Sequence, residues 1–182
     1  MTRTLVLLVA WLGALPSAAG AQSLEYDVKA AFLYNFARFV TWPPDAFAEP
    51  DSPIAICVIG EDPFGQRLDD LVAGERVDTR RLLVQRLAGT ADAAGCHVLF
   101  VSPSERKRFP GVLKNVNVRR VLTVSDTLDF LEAGGHFSFY LESNRVRLAA
   151  NTAALGLCEF QVSSRLLRVA RIHPPTAPPP AP

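Results

Sequence analysis

The apolar side chains of residues 24–42 recur at helical spacing and spread almost all the way round the helix. The segment contains no glycine or proline and is followed by Pro43 and Pro44, so it predicts one helix. A helix that is apolar on most of its surface must be covered on more than one face. We interpret its aromatic residues as core, with a dimer or partner surface as the alternative. These residues are Tyr26, Phe32, Tyr34, Phe36, Phe39 and Trp42.

Short apolar runs bounded by turn residues follow this helix. Residues 54–60 form an unbroken apolar run rich in β-branched side chains, which is typical of a strand buried on both faces. Further strands are predicted over 77–87, 96–102 and 121–125. Helices are predicted from Asp62-Pro63 to Gly74, over 103–116 behind a capping box of Ser102 and Glu105, and over 127–133. This alternation indicates an α/β domain with a largely parallel sheet.

The pattern changes in the last third of the chain. Residues 136–151 alternate apolar and polar positions on both sides of Ser143-Asn144, which predicts an antiparallel hairpin. A final helix is predicted over 153–172, where Leu166 and Leu167 extend the possible partner surface. Residues 173–182 form a proline-rich tail that we expect to be disordered. The fold class is therefore a single α/β domain over 22–172, with a mixed, mostly parallel sheet that ends in the hairpin and is flanked by helices.

The N-terminus has the layout of a secretory signal peptide. A basic residue, Arg3, precedes an apolar run and then a small-residue sequence that ends in Ala19-Gly20-Ala21. This arrangement predicts a signal peptide over residues 1–21, cleaved between Ala21 and Gln22. We therefore expect export to an oxidising compartment.

Charge excludes one class of partner. Lys and Arg total 19 and Asp and Glu total 18 in 182 residues, and no segment carries an uncompensated basic cluster. Because nucleic-acid binding depends on such clusters, we expect no nucleic-acid partner.

Two of the three cysteines fall in neighbouring predicted strands. Cys57 and Cys96 flank a strand-helix-strand unit in a chain expected to be exported, so we predict a disulfide between them, with two buried free thiols as the alternative. Cys158 is left over, and a buried apolar role, an intermolecular link and competition for pairing stay open.

The sequence lacks the motifs of a catalytic or metal site. It has no zinc-ligand spacing and no serine-hydrolase signature, and we expect no cofactor, no metal and no catalytic residues. His97, in an apolar strand, is interpreted as a core or edge residue. A different class of function, a small-molecule-binding module, remains open at the carboxyl ends of the predicted strands, near Gly60, Ser102 and Ser125.

These motifs together resemble the YfiR family of small periplasmic proteins from Gram-negative bacteria. The resemblance covers nearly all of the chain after the signal peptide. It rests on residues 26–43 (YDVKAAFLYNFARFVTWP), 56–65 (ICVIGEDPFG), 95–102 (GCHVLFVS), 121–126 (VLTVSD), 134–148 and 163–170 (SSRLLRVA).

The resemblance implies a non-enzymatic periplasmic repressor, usually a homodimer, with a mixed sheet surrounded by helices. Such a repressor binds the sensory domain of an inner-membrane diguanylate cyclase, and here the partner could also be a sensor kinase. An OmpA-type outer-membrane lipoprotein can sequester the repressor, which raises cyclic di-GMP and favours biofilm. Redox state modulates repression in the family.

Some family features carry over to this chain and others do not. Cys57 and Cys96 fall on one of the family's disulfide pairs. A second pair found in some members is absent, because Leu131 and Ser138 stand there. The chain also departs around Ala149 and Glu159, in a region tied to partner regulation in the type member.

Overall fold

The computed structural model describes residues 18–173, with side chains from Ser23 onward. The predicted signal peptide up to residue 17 and the tail from residue 174 lie outside the described residues. Within that range the chain forms these helices: α1 (Ala18–Phe39), α2 (Gln66–Val72), α3 (Phe109–Asn115), α4 (Asp129–Glu132), α5 (Thr152–Leu155) and α6 (Ser164–Val169). The strands are β1 (Val40–Thr41), β2 (Ile54–Ile59), β3 (Arg76–Val77), β4 (Arg80–Leu87), β5 (Val98–Val101), β6 (Leu122–Ser125), β7 (Phe137–Glu142), β8 (Arg145–Ala150), β9 (Gln161–Val162) and β10 (Ala170–Ile172).

Eight strands form one sheet in the order β10, β8, β7, β6, β5, β2, β4, β3. The pairs from β4 through β2, β5 and β6 to β7 are all parallel. Strands β7 and β8 form an antiparallel hairpin whose turn residues Ser143 and Asn144 have φ of 50° and 59°, as a two-residue primed turn requires. This arrangement confirms the predicted fold class.

The side chains of β2 point alternately to the two faces of the sheet, and each face carries its own layer of the core. Ile54, Ile56 and Val58 face the layer that contains α1 and α2. Ala55, Cys57 and Ile59 face the opposite layer, which contains α3. Because both faces are covered, all six residues of β2 are buried, which agrees with its unbroken apolar sequence.

Helix α1 supplies the largest side chains of the first layer. Leu33, Phe36 and Ala37 are fully buried against the sheet. Phe36 stacks on Phe137 of β7, with 5.1 Å between ring centroids. Burying a phenylalanine side chain contributes about 1.5–3 kcal/mol, so α1 is held mainly by apolar burial.

The predicted disulfide is confirmed and lies in the second layer. Cys57 on β2 is bonded to Cys96, which precedes β5, and their Cα atoms are 5.9 Å apart. Cys57 is 0% exposed and Cys96 is 5% exposed. The bond therefore connects two neighbouring parallel strands from inside the core.

The single final helix predicted over 153–172 is wrong. That segment forms α5, β9, α6 and β10 in succession. Strand β9 pairs with β1, and β10 pairs in parallel with β8. Tertiary strand pairing thus overrides the helical spacing of the leucines and arginines. Only the short α5 and α6 remain helical, and α6 is capped by the Ser163 side chain.

Several other boundaries also differ from the prediction, among them the start of α1, which lies at Ala18. Helix α1 ends at Phe39, because Val40 and Thr41 pair with β9. Residues 77–87 are broken by a turn at Asp78, whose φ is 53°. The helix predicted over 103–116 starts as a 3-10 helix, Pro103–Arg108, in which Ser102 caps the amide of Ser104 but Glu105 pairs with Arg108 instead of completing the box.

Removing the disulfide should destabilise the folded state. The bond closes a loop of 39 residues, which corresponds to a loss of about 4 kcal/mol in the free energy of unfolding on the chain-entropy model. Urea denaturation of Cys57→Ala or Cys96→Ala, compared with the oxidised wild type, measures the loss. Cys158→Ala is the matched control, since Cys158 is the free cysteine, and unchanged unfolding in both disulfide variants would contradict the role assigned to the bond.

Candidate functional site

The connections that leave the carboxyl ends of β2 and β5 go to opposite faces of the sheet. The chain leaving β2 leads to α2 in the first layer, whereas the chain leaving β5 leads to α3 in the second. Open α/β sheets bind their ligands in the crevice formed at such a point. The structure has a cleft here of 430 Å³. We call it the carboxyl-edge cleft, and it is lined by Ser23, Tyr26, Glu61, Asp62, Pro63, Arg67, Ser102 and Pro103.

Two of the three expected ligand positions lie together at this edge. Gly60 ends β2 with φ of 90°, and a Cβ there would lie 2.5 Å from Ser104 Oγ. The same hydroxyl accepts a hydrogen bond from the Glu61 amide at 2.9 Å. Glycine is therefore needed where the loops after β2 and β5 meet, beside the buried Ser102.

Ser125 has a different role. Its side chain is fully buried, and its hydroxyl donates a hydrogen bond to the carbonyl of Val101 at 2.7 Å. Ser125 therefore joins β6 to β5 and is not among the residues that line the cleft.

A buried charge network adjoins the cleft through Tyr26. Lys29 on α1 is 2% exposed, and its Nζ lies 2.5 Å from Asp126 Oδ1 at the end of β6. Glu25, one helical turn earlier, makes a second ion pair with Lys29. Tyr26 donates its hydroxyl to Asp126 Oδ2 at 2.9 Å. The network ties the N-terminal half of α1 to the edge of the sheet.

The tyrosine in this network keeps its proton. Burial, followed by the charge of Asp126 and the hydrogen bond to it, raises the pKa of Tyr26 well above its usual range. The ring of Tyr26 is contacted by Lys29 Nζ, 4.5 Å from its centroid. Tyr26 thus presents a neutral aromatic wall to the cleft.

Arg67 connects α2 to the start of α1 across the mouth of the cleft. Its guanidinium donates to Ser23 Oγ at 2.9 Å and pairs with Asp27 at 3.0 Å. Both members of the ion pair are about half exposed, at 47% and 49%. Because exposed pairs contribute little to stability, a ligand can replace these contacts at small cost.

Cys158 lies outside any helix, next to a second histidine. Its Sγ is 3.2 Å from His136 Nε2, at the wall of a 270 Å³ cavity. The Thr123 amide donates to His136 Nδ1 at 3.1 Å, so the proton of the neutral ring is on Nε2. Burial lowers the pKa of His136 to about 4 and raises the pKa of Cys158 to about 11. The imidazole has no lone pair free for the thiol proton, and this pair is therefore not an activated nucleophile.

The residues proposed as a partner surface divide into two sets. Phe36, Trp42 and Leu166 are at most 6% exposed within one chain, so they are core residues and the surface interpretation is wrong for them. Phe32, Tyr34, Phe39 and Leu167 are partly buried and pack on the edge of the core. Of the residues proposed as a partner surface, only this second set can contribute to contacts with another molecule.

The comparison with protein families decides what kind of chain this is. A family described as YfiR/HmsC-like matches residues 26–171, which is most of the sequence. The chain belongs to the YfiR/HmsC-like family. This membership fits a regulator that acts in the periplasm. No curated protein matches this YfiR/HmsC-like chain in sequence.

Solved structures share the fold of this YfiR/HmsC-like chain. A conserved domain protein from Vibrio cholerae has 11% identity and a TM-score of 0.52, covering 81% of this chain and 59% of its own. The ABC domain in complex with L-Trp from Streptococcus pneumoniae has 9% identity and a TM-score of 0.53, covering 82% of this chain and 60% of its own. This chain therefore spans about three fifths of the length of either structure. At these identities the likeness shows the fold alone.

Two features are absent from residues 18–173 of the YfiR/HmsC-like chain, the part that the structure describes. No helix there is both long and apolar enough to cross a membrane. Within the same residues, no group of three or more His, Cys, Asp or Glu side chains is placed to hold a metal ion.

The charge network of the YfiR/HmsC-like chain predicts a large effect for one substitution. Asp126→Asn leaves the Lys29 ammonium buried with Glu25 as its one carboxylate partner among the described residues. We expect a loss of about 3 kcal/mol in the free energy of unfolding, measured by urea denaturation. Asp27→Asn is the matched control, because its ion pair with Arg67 is exposed and should contribute less than about 1 kcal/mol. Equal losses in the two variants would contradict the proposed role of the network.

Proposed function

We propose that the protein is a periplasmic, non-enzymatic regulator that binds the periplasmic sensory domain of an inner-membrane diguanylate cyclase and keeps it inactive. The observation that carries the proposal is the YfiR/HmsC-like match over residues 26–171. The same proposal makes an OmpA-type outer-membrane lipoprotein the partner that sequesters the regulator. Release of the cyclase would then raise cyclic di-GMP and favour biofilm. A sensor kinase is the alternative partner.

The disulfide supports redox sensitivity of this regulator. Cys57 and Cys96 hold β2 and β5 together in the layer opposite α1. The first layer, which contains α1, packs on the other face of the same two strands. Reduction would loosen the support on which α1 rests, and partner binding through α1 would weaken with it.

The outer side of α1 is the surface that we assign to the partner. Leu24 is 65% exposed and Val28 is 37% exposed, and Phe32 continues their row at the same four-residue spacing. Residues four apart lie on one face of a helix, so the three form a continuous apolar strip. A second copy of this chain, as in a homodimer, would compete for the same strip.

Partner capture tests the proposal. The chain from residue 22 onward should recover a diguanylate cyclase from native membranes when oxidised and not when reduced, and deletion of its gene should raise cyclic di-GMP. Leu24→Glu should weaken capture about tenfold, which corresponds to about 1.4 kcal/mol. Leu157→Glu is the matched control, because Leu157 is a similarly exposed leucine, at 70%, away from α1. Equal capture of the cyclase by wild type and the Leu24 variant would overturn the assigned surface, and unchanged cyclic di-GMP after deletion would overturn the function.

The carboxyl-edge cleft favours a second candidate function, the sensing of a small polar molecule. It lies where the connections from β2 and β5 part, and it combines an aromatic wall, Tyr26, with one cation and two acids, Arg67, Glu61 and Asp62. A ligand there would contact the start of α1 directly. Ligand binding and partner binding would therefore act on the same helix.

Thermal unfolding tests the sensor function. A panel of small periplasmic metabolites should contain at least one compound that raises the melting temperature of the wild type by mass action. The same compound should have a smaller effect on a Glu61→Gln/Arg67→Gln variant and an undiminished effect on Arg147→Gln, since Arg147 pairs with Glu142 on the distant hairpin. An equal shift in all three proteins would place the ligand elsewhere.

A further inference from the structure

A cavity at the amino ends of the strands, opposite the carboxyl-edge cleft, is not used by the proposed function. It has a volume of 210 Å³ and lies at the amino ends of β5 and β6. We call it the amino-edge cavity, and its polar lining consists of Asp45, His97, Asn117 and Arg120, with Cys96 beside them. A water molecule occupies about 30 Å³ in the liquid, so the cavity has room for a molecule of several heavy atoms.

His97 presents an unused hydrogen-bond donor to this cavity. The side chain is 95% buried, being 5% exposed, and the Ala55 amide donates to its Nδ1 at 3.1 Å. An amide N–H can only donate, so Nδ1 holds a lone pair and the proton of the neutral ring is on Nε2. Among the described residues, Nε2 has no partner with full hydrogen-bond geometry, and the Ala46 carbonyl at the cavity wall contacts the ring only weakly.

The imidazole stays neutral and fixed in orientation. Burial, together with the charge of Arg80, lowers the pKa of His97 to about 4, although the nearby Ala46 carbonyl opposes the shift. The ring stacks on Phe47 at 4.5 Å between centroids and meets the edge of Trp42 at 5.5 Å. Nε2–H is therefore a donor held in one direction, and a buried donor without a well-placed acceptor favours a ligand that supplies one.

Arg120 adds a guanidinium that is shared with two carboxylates. Its Nη2 lies 2.6 Å from Asp45 Oδ2, and its Nε lies 3.2 Å from Glu159 Oε2. Neither contact reaches full hydrogen-bond geometry, so a ligand oxygen can compete with these carboxylates for the guanidinium. Arg80, which lies over the ring of Phe47 at 3.5 Å, contributes a second positive charge behind His97.

We propose that the amino-edge cavity binds a small organic monocarboxylate, whose oxygens accept hydrogen bonds from His97 Nε2 and from the Arg120 guanidinium. The His97 donor, the Arg120 guanidinium and the nearby charge of Arg80 match a carboxylate that takes the place of Asp45 on Arg120, and the volume suits an acid of a few carbons. The Asn117 side chain is a third polar group at the same wall. Asp45 competes with the ligand, because its own carboxylate already lies beside Arg120.

Acetate is the probe for this site, and NMR of the His97 ring in the full chain is the measurement. Acetate should shift the His97 Nε2 and ring-proton signals in a saturable manner. Arg120→Gln should weaken binding at least about tenfold, the effect expected from losing a charged hydrogen bond. Asp45→Asn should strengthen binding several-fold, because it removes the competing carboxylate. Arg147→Gln, a surface arginine paired with Glu142, is the matched control and should bind as the wild type does.

Three outcomes would overturn the proposal. If acetate moves no His97 signal, or if Asp45→Asn binds acetate no better than the wild type, the site is wrong. The Asp45 result holds even where Arg120→Gln fails to fold, since Asp45 is 75% exposed and its loss leaves the core intact. If chloride or inorganic phosphate produces the same saturable shift at the same concentration, the carboxylate assignment is overturned in favour of a general anion site. None of these results depends on the regulator or sensor functions proposed above.

Discussion

The burial of β2 on both faces is the constraint on which the rest of this structure depends. Each residue of the strand contributes alternately to one of the two core layers, and none is free to face water. The strand carries Cys57 to the disulfide, leads into Gly60 beside the carboxyl-edge cleft, and donates the Ala55 amide that orients His97. A shift of β2 by one residue would exchange the two layers and misplace all three features.

Local sequence patterns were sufficient to predict an element wherever its signal came from one continuous segment of the chain. The apolar run of β2, the turn at Ser143-Asn144 and the position of α1 all follow from residues close together in the chain. The pairing of Cys57 with Cys96 could also be predicted, because both fall in apolar strands on either side of one crossover. The structure of residues 153–172 could not be predicted in this way. Strands β9 and β10 are two and three residues long and form only by pairing with the distant strands β1 and β8.

The residues of the candidate sites likewise divide into those that the sequence could predict and those that it could not. Gly60 and Ser102 were expected at the ends of parallel strands, and the structure brings them to one edge. The Lys29 network was missed, since its members are 97 residues apart. Two signals could have found it: a lysine inside an otherwise apolar helix, and an aspartate directly after a buried strand. The free donor of His97 and the ion pairs of Arg120 depend on side-chain orientation, which no sequence pattern carries.

The position of α1 has a consequence for the order in which the chain can fold. Tyr26 and Lys29 meet Asp126, about 100 residues later, and Phe36 meets Phe137 and Phe139 later still. Contacts of such long range form slowly, because the intervening chain must first be ordered. A chain that emerges from its N-terminus presents α1 before any of these partners exists. Helix α1, the longest of the described helices, is therefore covered only after these later strands have formed, and its exposure during synthesis is an aggregation risk.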